Sequence, residues 1–245
     1  MNRVILVLTM LALLPVPSAA AIRPGTTITV LQLNICHGGM AGCYRGDAVM
    51  VKASEVITQT KPHVLSINEA CSGDIDRLRP AMGPVRTLFV AARNLDDTPV
   101  LCRGNDGQYG NVLMVAAEFP STTEESGIYA AQYRGADGHR ELRSWGCLGN
   151  VCTTHLSADH APTALAQCRD IMSREPKPMI VAGDLNLRDT GIQECDREGF
   201  SRRGDGGVQY VYASDDLEFV RTSEIDMLGT TDHPGLLVTV TGRST

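Results

Sequence analysis

Short apolar runs rich in β-branched residues recur along the chain, and Gly, Pro and Asp separate them. Runs of this length with such boundaries predict β-strands. The segments that fit are TTITVLQLNI, HVLSINEA, RTLFVAA, GNVLMVAA, RSWGCLGNVCTTHL, PMIVAGDLN, VQYVYAS, LEFVRTS and GLLVTV. The pattern therefore predicts a fold in which strands predominate.

Two longer segments have apolar residues at helical spacing. In AVMVKASEVITQT, the residues Ala53, Val56 and Ile57 fall on one face, and APTALAQCRDIMSRE repeats the pattern. Pro162 suits the first turn of the second helix, and Pro176 ends it. So few helices among so many strands do not fit a strictly alternating doubly wound sheet. An α/β fold of two central sheets covered by a few helices fits better.

The N-terminus has the pattern of a secretory signal peptide. Arg3 precedes an apolar run at residues 4–14, and small residues follow at residues 18–21. The run spans about eleven residues, whereas a membrane-spanning helix needs about twenty, and no later segment approaches that length. We therefore expect removal of residues 1–21, a single soluble domain over residues 22–245, secretion, and a monomer.

The charge balance argues against diffuse binding to polyanions. Removing Arg3 from the 22 basic side chains leaves 21 against 28 acidic ones, a net charge near −7. Diffuse attraction to nucleic acid or to anionic membranes is not expected from such a chain. Any phosphate binding must therefore be local or mediated by a metal.

The cysteines predict disulfides. Their number is even, none lies in a CxxC pair, and the exported setting is oxidising, so bridges are favoured over free thiols. The pairing cannot be deduced from sequence, although Cys36 and Cys43 flank a glycine-rich loop that a local bridge could close. The eight positions are Cys36, Cys43, Cys71, Cys102, Cys147, Cys152, Cys168 and Cys195.

Several predicted strands end in polar side chains. Alone, a strand-end Asn or Asp often caps a turn, and a single His is more often structural than catalytic. A carboxylate at the end of an apolar strand, such as Glu69, needs a partner to offset its burial. Considered together, the set indicates a functional edge: Asn34, Glu69, His155, Asp184 and Asn186, with Asp232 and His233 before the last strand.

These residue types suit metal-assisted hydrolysis. Glu69 with Asn34 offers oxygen ligands of the kind that Mg²⁺ or Mn²⁺ prefers. Such an ion polarises a phosphoryl oxygen and offsets charge in the transition state. A histidine near its ordinary pKa can activate water, and a second can donate to the leaving group. Asp184 and Asn186, two apart in VAGDLN, are expected to point to one side of a strand.

The order of these segments resembles the endonuclease/exonuclease/phosphatase superfamily of DNase I-like phosphodiesterases. LQLNICHG resembles its opening Asn motif, LSINEAC its Glu motif, QYGNVLM its Gly-Asn strand, VCTTHLS its His motif, VAGDLN its Gly-Asp-x-Asn motif, and TTDHPGLLVTV its closing Asp-His motif. The resemblance covers nearly the whole mature chain. It implies a four-layer α/β/β/α sandwich of two mixed sheets flanked by helices.

The resemblance also implies roles. Asn34 and Glu69 would hold the metal, and Asp232 would lie near it. Asp184 and Asn186 would position the attacking water and the scissile phosphate.

The remaining roles concern the phosphate and the water. His155 would contact the phosphate or the leaving group, and His233 would act with the water. The residues that could line the cleft around the phosphate are Arg143, or equally Arg140, together with Tyr109 and Asn111.

One position departs from the superfamily pattern. The strand before the closing motif usually carries an Asp that pairs with the closing histidine, and here Gln209 stands in its place. A glutamine oxygen can still accept the imidazole N–H, but it brings no charge to stabilise an imidazolium. We therefore expect His233 to have a weaker orienting partner than usual, with Asp226 as a conceivable substitute.

The sequence thus favours a secreted, metal-dependent phosphodiesterase, with a nuclease acting on DNA or RNA ahead of a phospholipid, sphingomyelin or inositol-phosphate hydrolase. A different class is a toxin-like binding module with weakened catalysis, which Gln209 motivates. Against it, the other motif positions are all filled by competent residues. Loss of metal-induced stabilisation on substitution of Glu69 would support the enzyme.

Overall fold

The computed structural model describes residues 23–105, 107–119, 123–134, 141–174 and 179–243, and the expected signal peptide lies outside these ranges. The helices are α1 (Ala48–Thr60), α2 (Asp74–Met82), α3 (Ala161–Met172) and α4 (Asp189–Gln193). The strands are β1 (Thr27–Asn34), β2 (Val64–Cys71), β3 (Val85–Ala91), β4 (Tyr109–Ala116), β5 (Glu124–Ile128), β6 (Ser144–Leu148), β7 (Val151–His155), β8 (Ile180–Asp184), β9 (Phe200–Gly204), β10 (Gln209–Ser214), β11 (Leu217–Ile225) and β12 (Gly235–Gly242).

The strands form two mixed sheets of six strands each. Sheet one has the order β11-β12-β1-β2-β4-β3, and sheet two has the order β5-β6-β7-β8-β10-β9. The only parallel pairs among the described residues are β1 with β2 and β7 with β8. Parallel neighbours need a crossover connection, and here α1 and α3 supply it. Each sheet therefore has one β-α-β unit at its centre.

The two sheets pack face to face, and helices cover their outer faces. Inward side chains such as Val30 and Leu113 from sheet one meet Ile180 and Val211 from sheet two in one buried cluster. The outward residues of sheet one pack on α1 and α2, and those of sheet two pack on α3 and α4. Full burial of one such side chain contributes about 1.5–3 kcal/mol. The predicted α/β/β/α sandwich of two mixed sheets is confirmed.

Local differences from the predicted elements have identifiable causes. RSWGCLGNVCTTHL is not one strand but the hairpin β6–β7, which turns at Gly149 with a φ of 58°. Strands β5 and β9 were not predicted because Glu124–Ile128 and Phe200–Gly204 carry little apolar signal and lie at sheet edges. Neither α2 nor α4 was predicted, since α2 is polar and contains Pro80 and α4 has five residues.

All eight cysteines pair, as the sequence predicted. Cys36–Cys43 closes the glycine-rich loop after β1. The other bridges are Cys71–Cys102, Cys147–Cys152 and Cys168–Cys195. Within the described part of the chain, no helix has the length and apolar character needed to cross a membrane.

Candidate active site

The two parallel strand pairs end at a common edge. In sheet one, Asn34 of β1 lies opposite Asn68 of β2, and in sheet two His155 of β7 lies opposite Asp184 of β8. Asn34 Nδ2 donates to Asp184 Oδ2 at 3.0 Å and so joins the sheets directly. The strand-end residues come from both sheets into one cluster, as functional groups at the carboxyl ends of parallel strands commonly do.

Glu69 departs from strand geometry where it enters this cluster. Its φ is 58°, and the pairing of β2 with β4 is interrupted between Ile67 and Ala70. A positive φ is rare for a residue with a side chain and persists only where the surroundings fix it. Strict alternation would place Glu69 on the helix-covered side with Ile67. The interruption therefore brings the carboxylate to the cluster.

Asn34 faces the carboxylates with its amide nitrogen. Nδ2 donates to Glu69 Oε1 at 2.9 Å as well as to Asp184, and Oδ1 accepts from the Cys36 backbone N–H at 3.1 Å. Because that N–H requires an acceptor, the contacts fix the orientation of the amide. Asn34 was expected to offer an oxygen to a metal. In this orientation it is a donor that positions two carboxylates.

The electrostatics of Glu69 suit a cation. Burial raises the pKa of Glu69, the hydrogen bond from Asn34 opposes this, and the negative charge of Asp184 adds to the rise. Two carboxylates that share one amide donor in a partly dehydrated cleft repel each other. Hard divalent cations bind one or two carboxylates and complete their shell with water. The donor set therefore fits Mg²⁺ or Mn²⁺ at Glu69, which Asn34 holds in place.

His233 lies between two carboxylates. Its Nε2 is 3.3 Å from Asp184 Oδ2, and its Nδ1 is 2.8 Å from Asp232 Oδ1. Burial alone would lower the pKa, but the hydrogen bond and charge of Asp184, together with Asp232, raise the pKa of His233 to about 9. The ring is therefore cationic at neutral pH, which suits a charged donor rather than a base.

His155 is the opposite case. It is 4% exposed, and its Nε2 lies 3.9 Å from Asp184 Oδ2. Burial and the charge of Arg143 lower the pKa of His155 to about 3, although Asp184 opposes the shift. The ring is neutral over the physiological range. The pKa values of the two histidines are thus shifted in opposite directions, so that His155 is held neutral and His233 cationic.

These pKa shifts predict that the two histidines affect the free energy of unfolding at opposite ends of the pH range. Below pH 6.5 the unfolded chain protonates His155, but the folded chain does not until about pH 3, so this contribution is lost as pH falls through that window. His233 contributes stability below pH 6.5 that is lost as pH rises towards about 9. Each contribution changes by at most about 1.4 kcal/mol per pH unit.

The measurement is the free energy of unfolding in EDTA between pH 4 and pH 9. His155→Gln is expected to flatten the acid limb and to leave the alkaline limb unchanged, whereas His233→Gln should do the reverse. Parallel curves for wild type and both variants would contradict the assignment of these pKa values.

Arg143 brings a positive charge to the cluster. Its Nη1 lies 3.4 Å from Glu141 Oε1, and its side chain is 12% exposed. Burial acts to lower the pKa of Arg143, but Glu141 and Tyr109 raise it, so the guanidinium stays charged. The ring of Tyr109 packs over Gly38, where a Cβ would lie 2.4 Å from it. Arg140, the alternative to Arg143, lies outside the described residues.

Asn186 does not share the strand alternation of Asp184. Strand β8 ends at Asp184, and Asn186 has a φ of 52°. Its backbone N–H donates to Asp184 Oδ1 at 3.1 Å, and its Nδ2 donates to the Leu156 carbonyl at 3.0 Å. The expected strand alternation therefore does not relate the two side chains. Asn186 closes a turn that binds Asp184 Oδ1, whereas His233 contacts Oδ2.

Gln209 does not hold the histidine ring directly. Its Oε1 accepts from Gln32 at 3.3 Å, and its Nε2 donates to Asp205 Oδ2 at 3.0 Å and to the Pro234 carbonyl at 2.6 Å. The glutamine oxygen, which could have accepted the His233 N–H, accepts from Gln32 instead. Gln209 anchors the backbone one residue after the histidine.

The orienting carboxylate of His233 comes from a different place. Asp232, the preceding residue, takes the imidazole Nδ1. Asp226, the conceivable substitute, accepts from the Leu228 backbone N–H at 2.7 Å in an exposed turn. Asp232 therefore takes the orienting position in which the family usually has an Asp on the preceding strand. Asp232 had been expected near the metal.

Two buried amides connect the cluster, and sequence analysis assigned neither a role. Asn68 Oδ1 accepts from Gln32 Nε2 and from the Asp184 backbone N–H, both at 2.8 Å. Asn68 Nδ2 donates to Asn111 Oδ1 and to the Thr154 carbonyl, both at 2.9 Å. Strand alternation could have identified Gln32, because it lies two residues before Asn34 and therefore points to the same face of the sheet.

The sequence profile of the Endonuclease/Exonuclease/phosphatase family matches residues 31–233, so the chain belongs to this family. Its members are hydrolases of phosphoester bonds and generally depend on divalent metals. Among curated proteins, none matches the chain significantly in sequence.

Solved structures share the fold. The human nocturnin catalytic domain with bound sulfate is 16% identical with a TM-score of 0.64, over 91% of this chain and 96% of that one. An endonuclease/exonuclease/phosphatase from Beutenbergia cavernae DSM 12333 is 19% identical with a TM-score of 0.63, over 91% and 72%. TDP2 from Caenorhabditis elegans is 18% identical with a TM-score of 0.58, over 88% and 75%.

Proposed function

We propose that this protein is a secreted phosphodiesterase that depends on a divalent metal and cleaves nucleic acid. The observation that carries the proposal is the shared carboxylate Asp184, which accepts from Asn34 at 3.0 Å and lies 3.3 Å from the Nε2 of His233. Glu69 Oε1 accepts a second hydrogen bond from the same Asn34 nitrogen, Nδ2. Such a set can orient water, hold a cation and neutralise a phosphate at one point.

The residues divide the work by charge. Asp184 carries a pKa below its ordinary value because His233 and His155 outweigh the effect of burial, so it is an anion that accepts a hydrogen bond from the attacking water. His233 is a cation held between Asp184 and Asp232, and its positive charge attracts the phosphate. His155 is neutral, so it can donate a hydrogen bond to the phosphate or the leaving group without adding charge. Arg143 adds a fixed positive charge beside them.

Glu69 is the residue we expect to bind Mg²⁺ or Mn²⁺, with Asn34 holding its carboxylate. When bound, such an ion polarises the phosphoryl oxygen and offsets the charge that develops in the transition state. Asn34 then keeps Glu69 and Asp184 at a fixed separation through its two donated hydrogen bonds. Preorganised groups of this kind lower the cost of reorganisation during the reaction.

Nucleic acid is the proposed substrate because the positive groups are local. The chain as a whole is acidic, yet Arg143 and His233 place two cations beside the carboxylates. A phosphodiester brought to this point meets positive charge from two sides, as an internucleotide phosphate requires. The cluster lies at one edge of both sheets, where the parallel strands end, and a polymer can be bound along an edge of this kind.

The test is hydrolysis of plasmid DNA, RNA, bis(p-nitrophenyl) phosphate and sphingomyelin by the oxidised mature protein, in Mg²⁺, Mn²⁺ and EDTA. We expect cleavage of nucleic acid that needs metal and is lost in His155→Ala and His233→Ala. Thr58→Ala, on the exposed face of α1, is the control that keeps full activity. Cleavage of sphingomyelin alone would replace the nuclease with a lipid hydrolase, and no turnover on any substrate would favour a binding module.

A further inference from the structure

Two aromatic rings lie stacked in the loops that follow β5 and β7, and the chemistry above does not use them. The ring centroids of Tyr133 and His160 are 4.6 Å apart, and their planes differ by 4°. Tyr133 belongs to the segment after β5, and His160 lies between β7 and α3. Both side chains are half-buried, so neither is part of the closed core.

The topology places this pair at the edge where the catalytic groups lie. Strand β5 pairs antiparallel with β6, which pairs antiparallel with β7, so β5 and β7 run in the same direction. Both therefore deliver their following loops to the edge that carries His155. Arg143 enters β6 at the same edge, and its backbone carbonyl accepts from the Tyr129 N–H at 3.1 Å.

The two loops are fixed to each other by a buried glutamine. Gln167 of α3 accepts from the Ser157 backbone N–H at 2.9 Å and donates to the Ala131 carbonyl at 2.8 Å. A second glutamine, Gln132, accepts from the Arg143 N–H and donates to its carbonyl, both at 2.9 Å. The backbone that carries the two rings is thus hydrogen-bonded to α3 and to Arg143.

The orientation of the histidine ring is also fixed. His160 Nδ1 accepts from the Thr163 N–H at 3.3 Å, at the first turn of α3, and lies 2.8 Å from Thr163 Oγ1. Because Nδ1 is the acceptor of that N–H, the neutral ring carries its proton on Nε2. Tyr133 stacks on a ring that the helix terminus holds in place. The histidine half of the pair is therefore held in a fixed orientation, and Tyr133 lies parallel to it.

We propose that the Tyr133–His160 pair is a base-stacking platform, which receives one nucleobase of a single-stranded nucleic acid while the scissile phosphate lies at the carboxylate cluster. The proposal rests on the proposed nuclease function and names the part of the substrate that the platform recognises. Stacking on an aromatic ring is tolerant of sequence and is worth about 1–3 kcal/mol per base. A platform that is already ordered loses little freedom on binding.

The experiment measures equilibrium binding in EDTA, so that it does not depend on cleavage. Two fluorescently labelled octanucleotides of single-stranded DNA are compared by anisotropy at one salt concentration: one carries all its bases, and the other carries abasic sites throughout. Their phosphates are identical. Tyr133→Leu is expected to raise the Kd of the base-bearing strand about tenfold and to leave the Kd of the abasic strand unchanged.

Two variants serve as matched controls. Tyr133→Phe keeps the ring and should keep both Kd values. Tyr44→Leu removes another tyrosine that contacts a histidine, but there the rings are tilted by 34° with centroids 5.9 Å apart, so it should change neither Kd. His160 is left intact because it caps α3. Melting temperatures identify any variant that fails to fold.

The outcomes separate this proposal from the nuclease itself. Equal loss for both strands in Tyr133→Leu would show a structural role for the pair and overturn the platform, as would no change in either Kd or no binding by the wild type. A base-dependent loss in EDTA without cleavage in Mg²⁺ would keep the platform and overturn the nuclease. Cleavage in Mg²⁺ without any base-dependent loss would do the reverse.

Discussion

Asp184→Asn is expected to lower turnover on any phosphodiester by about 10³- to 10⁴-fold. In serine proteases, neutralising the carboxylate that pairs with the catalytic histidine costs on the order of 10⁴. Here one oxygen, Oδ2, accepts from Asn34 and lies 3.3 Å from His233 Nε2, so the substitution removes both the charge and a shared acceptor. KM should change little, because Glu69, Arg143 and the histidines remain.

Two measurements check this result. Steady-state kinetics give the loss of kcat, and NMR titration should find the His233 pKa well below its wild-type value of about 9, since Asp184 is the main group that raises it. Asp76→Asn is the matched control, because Asp76 is 85% exposed on α2 and pairs only with Arg79 among the described residues. A kcat within tenfold of wild type would remove Asp184 from the reaction.

Glu69→Gln is expected to separate metal binding from folding. In EDTA the variant should be at least as stable as the wild type, because the substitution removes a buried charge that Asp184 repels. With Mg²⁺ at about 100 times its Kd, the wild type should gain about 2.7 kcal/mol of unfolding free energy. The variant should gain almost none and should lose metal-dependent cleavage.

Thermal unfolding with and without Mg²⁺ or Mn²⁺ measures both effects. Glu55→Gln is the control, because Glu55 is exposed on α1, where it contacts Lys52 and Gln59 and none of the cluster residues. The same metal-induced stabilisation in Glu69→Gln as in the wild type would place the cation elsewhere.

The sequence predicts the architecture and the residues of the cluster because both depend on local patterns. Apolar runs bounded by Gly and Pro predicted most strands, and a polar residue at the end of such a run predicted its place at the sheet edge. The order of the motifs then indicated the family. These signals lie within one strand and its following turn, as with Glu69 at the end of VLSINE.

What the sequence does not predict are contacts between distant segments. The direction of the Asn34 amide depends on Asp184, which is 150 residues away, and the place of Gln209 depends on Gln32, which is 177 residues away. The positive φ of Glu69 has no local signal, since the residue is not a glycine. Likewise, the pKa values of both histidines follow from burial and neighbours that only the folded chain brings together.

The division of the cluster between two sheets makes catalysis sensitive to their mutual alignment. Asn34 and Glu69 belong to sheet one, and His155 and Asp184 belong to sheet two. The hydrogen bond from Asn34 to Asp184 connects the two sheets. Gln32, Ser66 and Asn68 add further hydrogen bonds between the sheets, and apolar side chains fill the rest of the interior. A substitution that changes the volume of a side chain such as Leu113 leaves every reacting group intact. It should nevertheless shift one sheet relative to the other, and so slow the reaction before it unfolds the protein.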